Sequence, residues 1–224
     1  RDTDRSRGLG DVYKRQHVAL AKQTDIVMVA PASANVIGKI AYGIADDMLT
    51  TTVMACPCKK MISPAMNHNM YHNPIVQDNI QKLERFGYEM IAPDRGMLAN
   101  GDDGDGRMPE PEVLFEYILR ELAFEKDLAG KKVLVTAGAT MEAIDPVRYI
   151  TNHSSGKMGC AVAKAAMQRG AKVTLVAGHM EVLPPMFVDV VNVKSAADMF
   201  EAVTKLAPEQ DIIVKAAAVA DYTP

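Results

Sequence analysis

The sequence predicts an α/β fold in which two consecutive domains are each built around a parallel sheet. Short apolar runs such as Asp25 to Ala30 and Lys132 to Ala137 have the length and composition of buried strands, and amphipathic segments of helical period follow them. A second alternation of strand and helix begins after a polar segment at 126–130. This pattern is typical of Rossmann-like domains with helices on both faces of the sheet.

Composition excludes several classes of function. Of the 224 residues, 48% are hydrophobic and 24% are charged, which is ordinary for a globular protein. A net charge of −3 gives no basic field for nucleic acid, and the apolar runs fall far short of the roughly 20 residues that span a bilayer. Three cysteines without a disulfide framework, and no visible signal peptide, predict a cytoplasmic protein.

The first 16 residues differ from the rest of the chain. They are charged, lack an apolar period and join abruptly to a well-patterned segment at His17. They are similar to a translated sequencing adapter, so we predict a non-native leader at 1–16.

The first domain is predicted to cover residues 17–125. Asp25 to Ala30 is the first strand, and Pro31 to Asn35 is a turn. One continuous helical face is predicted from the apolar residues Ile37, Ile40, Ala41, Ile44 and Met48. The remaining elements are a strand at Lys60 to Ser63, a helix marked by Val76, Ile80 and Leu83, a strand at Tyr88 to Ala92, a loop at Gly96 to Pro111 and a helix at Glu112 to Phe124.

Two features of this domain suggest metal binding, and both are disfavoured. The Gly- and Asp-rich run at 101–106 suggests a calcium loop, but aligning Gly106 with the invariant glycine puts Gly101 at the first ligand position. Cys56 and Cys58 have no partner ligands nearby in sequence, so they are interpreted as small core residues.

The second domain is predicted at 131–224, after a linker at 126–130. Its strands are Lys132 to Ala137, Lys172 to Ala177 and Asp211 to Ala216, and its helices are Lys157 to Arg169 and Ser195 to Leu206. Ser195 with Asp198 three residues later predicts a capping box. Because the sequence stops just after a strand, we expect both domains to be incomplete and the chain to be truncated at both ends.

The stretch from Asp145 to Gly159 concentrates hydroxyls, an amide, two glycines and a lysine before a predicted helix N-terminus. Open α/β folds bind anions at such junctions, because the first-turn N–H groups are unpaired. Gly156-Lys157 is not a phosphate-binding P-loop, since Thr151 stands where that motif requires glycine and Met158 where it requires Ser or Thr. A turn packed against a helix remains the alternative interpretation.

Several long motifs resemble one family. Asp145 to Gly159 and Ala216 to Tyr222 resemble the synthetase half of the bifunctional phosphopantothenoylcysteine decarboxylase/synthetase family of coenzyme A biosynthesis. The segments His17 to Lys22, Pro31 to Asn35 and Pro64 to Asn67 resemble its FMN-containing decarboxylase half. The resemblance covers residues 17–224.

For the decarboxylase half, the resemblance implies FMN-dependent decarboxylation of 4′-phosphopantothenoylcysteine. His17 is then the catalytic histidine, Asn67 holds the substrate carboxylate, and Ser33 and Asn35 lie against the flavin. Asn100 stands where the family commonly has the cysteine that donates a proton. Either a neighbouring group or water replaces this donor, or the reaction stalls at the oxidised enethiol.

For the synthetase half, the resemblance implies CTP-dependent ligation of 4′-phosphopantothenate with cysteine through an acyl-cytidylate. Asn152 stabilises the charge on the acyl group and Arg148 supports the same anion. The implied nucleotide-binding residues are Ser154, Gly156, Lys215, Ala216, Ala217 and Asp221. The family uses Mg²⁺, but the ligands for the metal cannot be assigned.

The resemblance also implies a homo-oligomer. The family's glycine-rich flavin-phosphate turn and its lysine loop over the triphosphate are not found in the sequence, so we expect this chain to have little of either activity. The alternative is a flavin-linked regulatory or binding protein on the same scaffold, although such a protein has no reason to keep Arg148, Asn152 and Lys215 together.

Overall fold

A computed structural model of the chain describes residues 19–97 and 103–224. It divides into two compact units between Leu114 and Phe115. Each unit contains a parallel sheet with helices, so the predicted parallel α/β class is confirmed. Among the described residues, every helix is too short or too polar to cross a bilayer.

The N-terminal unit has a three-stranded parallel sheet in the order β1-β2-β3. Its strands are β1 (Ile26–Ala32), β2 (Lys59–Pro64) and β3 (Glu89–Met90), and its helices are α1 (Ala34–Ala41), α2 (Met48–Ala55), α3 (His68–Tyr71) and α4 (Pro74–Arg85). An antiparallel hairpin of β4 (Asp94–Met97) and β5 (Asp103–Arg107) follows, and then α5 (Pro111–Leu122), which crosses the division.

The core of this unit lies between the sheet and its helices. Ile37 of α1 and Ile62 of β2 are completely buried, and Leu83 of α4 is nearly so. Burying side chains of this size contributes roughly 1.5–3 kcal/mol each. Cys56 is also buried, as predicted for a core residue, whereas Cys58 is partly exposed.

Three predictions for this unit were wrong. The single helix predicted through Met48 is two helices, because α1 ends at Ala41, Gly43 has a left-handed φ of +69° and Asp47 caps α2. The turn predicted at Pro31 begins later, since β1 runs to Ala32 and Ser33 caps α1. The predicted loop at 96–111 contains part of the hairpin, whose backbone pairing needs no apolar alternation.

Asp47 provides a pH-dependent test of the α2 cap. The backbone N–H of Thr50, then its hydroxyl, then Lys39 stabilise the carboxylate and lower its pKa from 3.8 to about 2. The charged form is therefore favoured by folding, so its contribution is present above about pH 4 and is lost as the pH falls through about 2. We expect Asp47→Asn, which can still cap, to flatten the loss of stability between these values in acid-unfolding curves.

The C-terminal unit has a four-stranded parallel sheet in the order β10-β9-β6-β11. Its strands are β6 (Lys132–Ala137), β9 (Lys172–Ala177), β10 (Asp189–Asn192) and β11 (Ile212–Lys215), with helices α6 (Lys157–Gln168) and α7 (Ala196–Leu206). A small antiparallel hairpin of β7 (Met141–Ala143) and β8 (Tyr149–Thr151) lies between β6 and α6.

Both faces of the two central strands of this sheet, β6 and β9, are buried. Val133, Val135 and Ala137 of β6 pack in one core cluster with α6, while Leu134 packs with Met199 of α7 in another. Continuous apolar strands of this kind are typical of parallel sheets covered on both sides. The predicted strands β6 and β9 and the Ser195–Asp198 capping box are confirmed.

Three strands of this unit were not predicted. β7 and β8 lie in a segment of mixed residues too short for an apolar period, and β10 has four residues, of which only Val191 is not exposed. The predicted boundaries at 125 and 131 stay a prediction.

Candidate functional site

The predicted flavin and carboxylate residues of the N-terminal unit lie at the carboxyl edge of its sheet. β1 and β2 pair in parallel with Ala32 opposite Pro64, and the Ala65 N–H donates to the Ala32 carbonyl at 2.9 Å. Ser33 and Asn35 follow β1, and Asn67 follows β2. The structure therefore brings Ser33, Asn35 and Asn67 to one edge, where open α/β sheets bind ligands.

Ser33 and Asn67 both act as helix caps. The Ser33 hydroxyl accepts from the Val36 N–H at 3.4 Å, and Asn67 Oδ1 accepts from the Asn69 N–H at 2.9 Å. Asn35 is an exposed residue in the first turn of α1. The remaining predicted residues of this half, His17 and Asn100, lie outside the described residues.

The β4–β5 hairpin is attached directly beside Asn67. The Met66 N–H donates to the Gly106 carbonyl at 3.0 Å. Gly106 has a φ of +133°, and a Cβ added there would lie 2.2 Å from the Met66 carbonyl oxygen. Only glycine fits at this contact. The backbone hydrogen bond between Met66 and Gly106 therefore fixes one end of the hairpin to the segment that carries Asn67.

In the C-terminal unit, the two predicted ligase motifs meet at the carboxyl edge of the sheet. The Asn152 amide Nδ2 is 3.3 Å from the carbonyl oxygens of both Ala218 and Val219, to which it donates. The Ala218 N–H donates to the Gly138 carbonyl at 2.8 Å. Segments far apart in sequence are thus joined, since Asn152 and Ala218 differ by 66 positions.

Two buried threonines position the motif from Ala216 to Tyr222. Neither of them was identified from the sequence. Thr136 Oγ1 accepts from the N–H groups of Ala216 and Ala217 at 3.1 and 3.2 Å. Thr140 Oγ1 accepts from the Ala220 N–H at 2.9 Å. The sequence does contain a signal for Thr136. It is a buried polar residue near the end of a strand whose other buried residues are apolar.

Arg148, which immediately precedes β8, forms an ion pair with Asp145. Its Nε donates to Asp145 Oδ2 at 2.7 Å, and its side chain is 72% exposed. The Arg148 and Val147 N–H groups, and then the guanidinium, lower the pKa of Asp145. The three residues of β8 lie between Arg148 and Asn152 in the chain, and the two side chains have different hydrogen-bond partners.

The start of α6 has the features of an anion site. Gly156 is its N-cap with a φ of +77° and provides no side-chain cap. A Cβ on Gly156 would lie 2.7 Å from Met180, so the left-handed turn and the close packing both require glycine. Ser154 and Gly156 precede the exposed Lys157 at this helix end, where the helix dipole favours a negative charge.

A cavity of about 270 Å³ adjoins the end of β11. Its walls include Lys215 and Ala217 together with Thr136 and the apolar side chains of Phe200 and Val219. Ala216 lies between two wall residues, whereas Asp221 is exposed beyond them. The cavity therefore combines apolar side chains with one cationic side chain, that of Lys215.

The sequence matches two family models. Residues 5–123 match the flavoprotein family, and residues 128–224 match the DNA/pantothenate metabolism flavoprotein C-terminal domain. Together they account for most of the chain.

Curated proteins are similar to nearly the whole of this chain. The coenzyme A biosynthesis bifunctional protein CoaBC of Vibrio vulnificus (strain YJ016) is 51% identical over 209 residues, covering 93% of this chain and 52% of that protein. The Bacillus subtilis (strain 168) protein of the same name is 48% identical over 223 residues, covering 96% of this chain and 55% of the relative. The chain thus spans about half the length of these relatives.

Among solved structures, that of a mutant PPC decarboxylase complexed with pantothenoylaminoethenethiol is 36% identical. The likeness covers 46% of this chain and 57% of the solved chain at a TM-score of 0.45, which is too partial to bear on the fold. The two family models cover the segments that contain both candidate sites. The chain therefore belongs to the flavoprotein family, and over 93–96% of its length it is similar to bifunctional coenzyme A biosynthesis proteins.

Proposed function

We propose that the protein to which this chain belongs carries out two consecutive steps of coenzyme A biosynthesis in the cytoplasm, as a homo-oligomer. The first is CTP-dependent ligation of 4′-phosphopantothenate with cysteine, and the second is FMN-dependent decarboxylation of 4′-phosphopantothenoylcysteine to 4′-phosphopantetheine. The observation that carries the ligase step is the contact of Asn152 with Ala218 and Val219, which joins two motifs at one sheet edge.

In the ligase step, the α6 N-terminus at Gly156 and the cavity beside Lys215 would bind anionic and nucleotide groups. The 4′-phosphopantothenate carboxylate attacks the α-phosphate of CTP, which releases pyrophosphate and forms the acyl-cytidylate. The cysteine amine then displaces CMP. Asn152 would donate to the acyl oxygen as charge develops there. Mg²⁺, a hard cation, would enter with the CTP phosphates.

In the decarboxylation step, the edge that carries Ser33, Asn35 and Asn67 would hold the flavin and substrate. FMN, when bound, supplies the oxidation that makes loss of CO₂ easy. Ser33 and Asn35 suit FMN because the N–H groups of a helix N-terminus and small polar side chains can form hydrogen bonds with the polar edge of a ligand. Since Asn67 Oδ1 is occupied by the Asn69 N–H, its Nδ2 is the amide atom left to hold the carboxylate.

The test uses the full-length gene product that contains this sequence. Mass spectrometry should detect 4′-phosphopantothenoylcysteine and 4′-phosphopantetheine after incubation with 4′-phosphopantothenate, cysteine and CTP. Omitting CTP should abolish both products, and supplying 4′-phosphopantothenoylcysteine directly should restore the second. Accumulation of the oxidised enethiol would show that nothing replaces the proton donor at Asn100. Failure to form either product would refute the proposal.

Asn67→Ala tests the assignment within the decarboxylation step. Loss of one hydrogen bond to a charged carboxylate costs about 1.5–3 kcal/mol, so the decarboxylation rate should fall about tenfold or more while ligation is unchanged. Asn69→Ala is the matched control, because its side chain is exposed two residues further along and its backbone N–H still donates to Asn67. Equal losses in both variants would contradict the role of Asn67.

A further inference from the structure

Two histidines at the start and the C-cap of α3 form a cluster with an aspartate of β5 in the N-terminal unit. The imidazole rings of His68 and His72 have centroids 4.4 Å apart, and His72 Nε2 lies 3.0 Å from Asp105 Oδ2. One ligand atom from each of the three residues lies within 4.8 Å of the others. Ligand atoms around a tetrahedral metal with bonds of about 2.0–2.1 Å stand roughly 3.3 Å apart, so small side-chain rotations would close the cluster.

The backbone holds the three residues in place. The His72 N–H donates to the His68 carbonyl at 3.0 Å, which puts both side chains on one face of a helical turn. Asp105 is adjacent to Gly106, whose carbonyl accepts from the Met66 N–H at 3.0 Å. The cluster therefore stands on two backbone segments already fixed to each other.

His68 has an unsatisfied polar atom. Its Nδ1 is buried and has no hydrogen-bond partner among the described residues. Gly104 packs against this ring, and a Cβ added there would lie 2.8 Å from Nδ1. A buried imidazole nitrogen without a partner is costly, and an ion bound to Nδ1 itself is one way to satisfy it.

The donor set selects the type of ion. Two imidazoles and one carboxylate suit Zn²⁺ and its neighbours in the first transition series, whereas Mg²⁺ and Ca²⁺ prefer oxygen donors alone. We propose that His68, His72 and Asp105 bind one divalent transition-metal ion such as Zn²⁺, with water completing the coordination. The ion would link α3 to β5 next to Asn67, and the proposal does not depend on the two reactions proposed above.

The first experiment measures binding to the whole purified chain after removal of metals with a chelator. Titration with Zn²⁺ in a calorimeter should give one ion per chain. Binding of Co²⁺ should give the visible absorption bands that are typical of a cobalt ion with a low coordination number. Asp105→Asn and His72→Gln, made separately, should each weaken Zn²⁺ binding at least tenfold, since each removes one ligand. Asp105→Asn keeps an oxygen that can accept from His72, so the hairpin contact is retained.

His179→Gln is the matched control, because His179 is an exposed histidine of the C-terminal unit. It should leave the affinity unchanged. X-ray absorption of the wild-type zinc complex should show two imidazoles with oxygen donors and no sulfur. Absence of Zn²⁺ binding, undiminished binding in both ligand variants, or sulfur in the coordination shell would overturn the proposal.

Discussion

Gly159→Ala is expected to destabilise the C-terminal unit by about 3 kcal/mol, a large part of the roughly 5–15 kcal/mol that stabilises an ordinary domain. Gly159 lies in α6 where the helix crosses β6. A Cβ added there would lie 2.4 Å from the Ala137 Cβ and 2.9 Å from the Thr136 carbonyl oxygen. Both neighbours belong to a buried strand, so the helix itself must move.

Gly38→Ala is the matched control and is expected to act in the opposite direction. Gly38 is also a helical glycine, in α1, but the nearest atom to an added Cβ is Asn79 Nδ2 at 3.8 Å. Alanine should therefore stabilise the N-terminal unit by about 0.5–1 kcal/mol. Peptide-resolved hydrogen exchange reports on each unit separately. A stabilising effect of Gly159→Ala would contradict the packing described for α6 and β6.

Asn152→Ala is expected to reduce kcat of the proposed ligation about a hundredfold or more, because removal of one preorganised donor typically costs ~3 kcal/mol. Its two hydrogen bonds to Ala218 and Val219 are long, at 3.3 Å each, so redirecting the amide toward an acyl oxygen sacrifices little. The measurement is steady-state kinetics with CTP and 4′-phosphopantothenate on the full-length protein.

The same kinetics separate chemistry from positioning. If Asn152 only holds the Ala218 segment in place, the variant should raise KM for CTP and leave kcat unchanged. Asn192→Ala is the control, since Asn192 is an exposed residue at the end of β10 and lies at the opposite edge of the sheet from β11. It should alter neither constant.

The elements that sequence predicted best are those whose residues are buried by regular packing. β6 and β9 have apolar runs covered on both faces, and α4 has one apolar stripe, so their periods reflect the environment directly. The break between α1 and α2 could not be read from the apolar spacing. It depends on the left-handed Gly43 and the Asp47 cap, whereas Ile44 and Met48 continue the pattern although they are exposed.

For the candidate sites, sequence identified which residues to examine but not what holds them. The link between Asn152 and Ala218 depends on the pairing of β11 beside β6, which local patterns do not encode. The same holds for Thr136, which acts only because its hydroxyl faces the turn after β11. The cluster of His68, His72 and Asp105 arises from the unpredicted β4–β5 hairpin.

The attachment of that hairpin through Gly106 has a consequence for how the sequence can evolve. The contact joins backbone to backbone, with the Met66 N–H on the Gly106 carbonyl and no room for a Cβ. Substitutions in the hairpin that leave this backbone contact intact, and that do not add a Cβ at Gly104 against His68, need not shift the anchor beside Asn67. Position 106 itself accepts only glycine, so amino-acid variation in this region should concentrate at other positions.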